Sequence, residues 1–95
     1  SVTAITTALD MSKPMMSVTL SGATTFTASN IETGKVALLM MDVTSSGHAP
    51  TWPASIHWPM GTEYTWDTTG ITKWLVCFTC WDSTTIRATA TGWGA

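Results

Sequence analysis

Ile71-Thr72-Lys73-Trp74-Leu75-Val76-Cys77-Phe78-Thr79-Cys80 is the stretch on which the fold turns. Trp74, Val76, Phe78 and Cys80 fall on one side of an extended chain, and Leu75, Cys77 and Thr79 on the other. Successive side chains of a strand point to opposite faces, so this alternation predicts a strand. Both sets are apolar or small, which predicts a central place in a sheet. Upstream, residues 35–43 are apolar almost throughout and predict a second central strand, buried on both faces. Residues 15–20, ended by Ser21-Gly22, and residues 24–28 predict further strands. In 51–58, Trp52, Ala54, Ile56 and Trp58 share one face, while Pro53, Ser55 and His57 share the other. Pro53 cannot donate to a ladder, so this strand is expected at an edge or at a bulge. Residues 62–66 predict a short strand with Tyr64 and Trp66 on one side, and 85–91 a closing strand. Turn formers mark loops at 30–34, 44–50, 59–61, 67–70 and 82–84, and 92–95 read as a loose end. No helical period persists, so 4–9 are expected as strand or extended chain. The fold class expected is all-β: an antiparallel, jelly-roll-like β-sandwich of about seven to eight short strands. It forms one domain over 1–95, with 1–12 as an extended N-terminal arm.

Composition agrees. The chain holds 20 Thr and 6 Trp, residue types that suit a pleated, half-buried surface. Charged residues make up 11%, well under the ~25% of an average domain. Lys13, Lys35, Lys73 and Arg87 are scattered and the net charge is −2, which argues against nucleic acid and an anionic membrane surface as partners. The longest apolar run, 36–41, is far short of the ~20 residues that cross a membrane as a helix. Residues 1–10 lack the basic start and apolar stretch of a signal peptide. A chain beginning with Ser is expected to be processed or part of something longer.

Few constellations carry chemistry. Cys77 and Cys80 are three apart on a strand, so they point to opposite faces and pair poorly with each other. They read as small core or near-core side chains; a metal or redox role and pairing between chains are the alternatives. His48 and His57 are too far apart to complete a usual zinc half-site. The carboxylates Asp10, Glu32, Asp42, Glu63, Asp67 and Asp82 are dispersed, and several stand in turn contexts. No nucleophile elbow or phosphate-binding glycine loop occurs. No catalytic residue, metal site or cofactor is expected, and the chain reads as a binding or structural module. Trp52, Trp58, Trp66 and Trp74 are expected inside. Trp81 beside a turn and Trp93 between glycines are expected to be exposed. With Tyr64 and His57, they are the candidate ligand- or interface-binding residues, because indoles stack on sugar rings and recur at interfaces.

The run Val18-Thr19-Leu20-Ser21-Gly22-Ala23-Thr24-Thr25-Phe26-Thr27, followed by Pro50-Thr51-Trp52-Pro53-Ala54-Ser55-Ile56-His57-Trp58-Pro59-Met60-Gly61-Thr62, resembles a β domain of tail fibres and other structural proteins of tailed bacteriophages. The likeness runs from about Val18 to Gly92, and the Thr51-Trp52-Pro53 to Trp58-Pro59-Met60-Gly61-Thr62 portion is its most specific part. The closing turn, Trp81-Asp82-Ser83-Thr84, departs from the Asp-Gly turn frequent in that family. The resemblance implies a sandwich-like virion appendage outside the cell that assembles with itself, as a homotrimer, and with other virion proteins. The resemblance does not fix a receptor; the leading expectation is a module for adhesion or structure that binds a host-surface glycan. Two other readings are a capsid decoration or cement protein and a carbohydrate-binding module of a larger enzyme.

Overall fold

The computed structural model describes residues 2–43, 49–64, 66 and 71–94, with backbone alone at 71, 72 and 94. The predicted turn at 67–70, most of the loop at 44–50, and residues His48 and Asp67 lie outside the described residues. The strands are β1 (Thr3–Ala4), β2 (Ala8–Asp10), β3 (Met15–Thr19), β4 (Thr27–Ser29), β5 (Val36–Asp42), β6 (Ile56–His57), β7 (Ile71–Cys80) and β8 (Ile86–Gly94). A 3-10 turn at Pro59–Gly61 follows β6. Six strands form one sheet in the order β1-β3-β5-β7-β8-β6, and β2 and β4 form a second.

The C-terminal half is a meander. β5 runs antiparallel to β7, and β7 to β8. The turn between β7 and β8 closes because the Asp82 carboxylate accepts from the Thr84 amide at 2.9 Å and its hydroxyl at 3.0 Å. Those bonds also hold the Asp82 carboxyl below its ordinary value. β8 continues through Gly92-Trp93-Gly94, opposite Trp74, Lys73 and Ile71. The loose end expected at 92–94 is therefore strand: a long partner supplies the pairing that glycine propensity alone would not.

The N-terminal half is built differently. The chain passes from β1 in the large sheet to β2 in the small one, back to β3, across to β4 and back to β5. A strand that returns from the other layer re-enters in the same direction, so β1–β3, β3–β5 and β2–β4 are parallel. β6 is parallel to β8 as well. The expectation of antiparallel pairing throughout is thus corrected to a mixed sheet. The expected arm at 1–12 is corrected too: its residues form β1 and β2, and Leu9 and Met11 are fully buried. The strand expected at 51–58 shrinks to Ile56–His57, with Thr51 making an isolated bridge to Thr25. Between them the Ile56 amide donates to the Pro53 carbonyl at 3.1 Å, closing a turn over Ala54 and Ser55. Thr62, Glu63, Tyr64 and Trp66 are not strand, and the strand expected at 24–28 is registered later, at Thr27–Ser29.

Leu9, Met16, Val18, Phe26, Leu39, Met41, Val76, Phe78 and Ile86 form one apolar core between the layers. At one end of it, Trp52 stacks on Phe26 with centroids 4.7 Å apart, and Trp66 meets Trp74 edge-on at 4.8 Å. Trp58 and Tyr64 complete this ring cluster, and the Trp66 indole N–H donates to Glu63 at 2.6 Å. Burial alternates strictly along β5: Ala37, Leu39 and Met41 face inward, while Val36 and Met40 remain 54% and 42% exposed. The expectation of burial on both faces fails because the small sheet covers only one side of the large one.

β2 ends in a turn fastened by Asp10. Its carboxylate accepts from the Ser12 hydroxyl at 2.6 Å, Asn30 Nδ2 at 2.8 Å and the Ser12 amide at 2.9 Å. These bonds favour the ionised form and hold the Asp10 carboxyl at about 2, below the usual 3.8. A depressed carboxylate contributes stability that is full above its unfolded value and is lost as pH falls through the folded one. The turn is therefore expected to loosen between about pH 3.8 and about 2. Amide shifts of Ser12 should report this, and Asp10→Asn should abolish the response. An unchanged acid profile in that variant would remove Asp10 from the account.

Candidate functional site

The uncovered face of the large sheet is assembled from alternate residues of its strands. β3 contributes Met15, Ser17 and Thr19; β5 contributes Val36, Leu38 and Met40. β7 contributes Lys73, Leu75, Cys77 and Thr79; β8 contributes Arg87, Thr89, Thr91 and Trp93. Strand register sets these in rows. Met15, Leu38, Cys77 and Thr89 lie side by side, as do Ser17, Met40, Leu75 and Thr91. Most of the face is methyl, thioether and hydroxyl. Its few charges sit at the margins, and Lys73 Nζ is 2.6 Å from Asp42 Oδ2.

Two depressions mark this face. The first, of about 440 Å³, is lined by Thr19, Met40, Asp42, Lys73, Leu75 and Trp93 among others. Trp93 stands at its margin, 52% exposed. The second, of about 400 Å³, lies toward β6 and is lined by His57, Met60, Cys77, Thr79, Trp81 and Arg87 among others. Trp81 is 60% exposed, and the Arg87 guanidinium carbon lies 4.9 Å from its ring centroid. That distance is within cation–π range, so Arg87 limits how the indole can tilt. Met60 is fully exposed on a left-handed backbone (φ 58°), followed by Gly61 at φ 73°. That conformation is unusual for a side chain as large as methionine. It places a thioether on the rim of the second depression.

The four candidate residues divide accordingly. His57 and Trp81 meet in the second depression, and Trp93 lies in the first. Tyr64 is elsewhere: it is half-buried in the ring cluster, 5.7 Å from Trp58 and 6.4 Å from Trp74. Arg87, Met60 and the Val36/Met40 row were not singled out from sequence. Alternation in 85–91 could have placed Arg87 on the open face. Nothing local would have set Met60 beside Trp81.

Cys80 is buried and Cys77 half-buried on the open face; both are free thiols. Burial pushes the Cys80 thiol upward, which suits a packing role. Asp10, Asp42, Glu63 and Asp82 each hold a local partner. Among the described residues, no three of His, Cys, Asp and Glu converge as metal ligands would. What the face can offer chemically is adhesion: flat apolar area, hydroxyls, two cations, Lys73 beside Asp42 and Arg87 beside Trp81, and two exposed indoles. No family model, curated protein or solved structure matches this chain.

Proposed function

We propose that this chain is a non-enzymatic structural module of a virus particle, a tail-fibre or appendage domain. It adheres through the open face of its large sheet and assembles with copies of itself. Its architecture reads as a small jelly-roll-like sandwich in which one layer is left uncovered for contact. The observation that carries this reading is the exposure of Val36, Met40 and Trp93 on the open sheet face, with Trp81 exposed at its end beside Thr79 and Arg87. Contiguous exposed apolar area marks interaction surfaces. The second depression supports a glycan as one partner, because an indole offers an apolar platform and Arg87, His57 and Thr79 offer hydrogen-bonding groups around it.

Glycan-array binding followed by calorimetry tests the adhesive part. Trp81→Ala is expected to weaken glycan binding at least tenfold, about 1.4 kcal/mol, with the thermal melt unchanged. Equal binding by the variant would move the site away from Trp81. Binding to assembled capsids in place of glycans would favour a decoration protein.

A further inference from the structure

We infer that the glycan held in the second depression is an acidic one, with the Arg87 guanidinium gripping a sugar carboxylate while Trp81 carries the sugar ring. This rests on the glycan-binding part of the reading above and adds the chemical class of the ligand. The depression lies where β7, β8 and β6 run side by side. Strand register sets Thr79, Arg87 and His57 in one row across them, and Cys77 and Thr89 in the next. Neighbouring strands stand about 4.8 Å apart, so that first row spans about 10 Å with Arg87 at its middle.

The charge in this place is one-sided. Arg87 is exposed, and among the described residues that line the depression it is the one Lys or Arg, with no Asp or Glu beside it. The other cation of the open face, Lys73, is matched by Asp42 at 2.6 Å. Asp82, next to Trp81 in sequence, is bonded into its own turn by Thr84. No described carboxylate pairs with Arg87; its neighbour is the Trp81 ring, whose centroid is 4.9 Å from the guanidinium carbon. A contact with a ring engages the charge of a guanidinium and leaves its N–H donors unused, and no described residue accepts from them.

Those donors form a rigid fork that fits the two oxygens of a carboxylate. One guanidinium also balances the single negative charge that a carboxylate carries. A phosphate ester carries about −1.5 to −2 and would meet no second Lys or Arg among the described lining residues. Trp81 keeps 60% of its surface exposed beside Arg87, so a sugar ring can lie on the indole with its carboxylate against the guanidinium. Thr79 and Thr89 on one side and His57 on the other then offer partners to the sugar hydroxyls. A net charge of −2 gives the protein no long-range attraction for anions, so the acidic group is read at contact. The class this selects is the carboxylated sugars, of uronic-acid or sialic-acid type.

An array of neutral, sulfated, uronic-acid and sialylated glycans, followed by titration of the full chain read at the Trp81 indole N–H by nuclear magnetic resonance, tests this. Carboxylated glycans are expected to give the strongest signals. Methyl esterification of the best of them removes its charge and should weaken binding to the unaltered chain at least about tenfold, but to Arg87→Gln less than about twofold. Arg87→Lys keeps the charge and lacks the fork, and should bind the acid at least about fivefold more weakly. Both variants change one exposed side chain and should melt as the unaltered chain does. A neutral glycan or the ester binding as tightly as the acid overturns the acidic class and leaves glycan binding standing. So does an esterification cost that is the same with and without Arg87. Sulfated glycans binding equally well, with Arg87→Lys unimpaired, overturn the carboxylate fork in favour of a simple point charge. Binding to no member of the array overturns this inference and the glycan reading together.

Discussion

Phe78→Ala is expected to lose about 3–5 kcal/mol of folding stability and to leave the chain largely unfolded at 37 °C. Phe78 is fully buried, with Ala37 directly opposite on β5 and Ala88 on β8. Those two methyl side chains make room for the ring, and neither can fill the space it leaves. Trp52, 6.1 Å away, is already stacked on Phe26 and is not free to collapse inward. A domain of this length has only about 5–14 kcal/mol in total, so the loss is a large share of it. Urea unfolding followed by indole fluorescence gives the value. A cost below about 1 kcal/mol would mean that the inward face of β7 is not the centre of the core.

Deleting residues 1–12 is the second large effect. An arm lying outside the fold could be removed with little consequence. Here the deletion takes β1 from the edge of the large sheet and β2 from the small one, leaving β4 without its strand partner. It also removes Leu9 and Met11, each worth about 2–5 kcal/mol when truncated at a buried site. The shortened chain should show no cooperative melt by circular dichroism. Retention of a sharp transition would restore the peripheral arm.

Several elements could be read directly from residues. β7 matches its alternating stretch end to end, and the inward set Trp74, Val76, Phe78 and Cys80 is buried as expected. The exposure of Trp81 beside its turn and the burial of Trp74 by strand parity were also readable; Trp93 is exposed and Trp66 buried as expected, but Trp93 stands on a strand and Trp66 does not, the reverse of the local structure read for each. Three features were not readable. Parallel pairing of β1, β3 and β5 depends on the chain changing layers, which leaves no local mark. Residues 51–58 alternate as a strand would, yet Pro53 starts a turn, and Trp52 and Trp58 reach the ring cluster from irregular backbone. An apolar run such as 36–41 looks the same whether its second face is covered or open. Only the extent of the small sheet decides that, and it is the openness that makes the candidate surface.

The passage of the early strands between layers has a consequence for how the protein comes into being. β7 and β8 are joined by a tight turn and can zip together locally, whereas β1, β3 and β5 find their register only after long loops have closed. Local pairings form quickly and distant ones late. A nascent chain leaves the ribosome with β1, β3 and β5 first, so the far edge of β5 waits for its partner β7 in a hairpin still being synthesised.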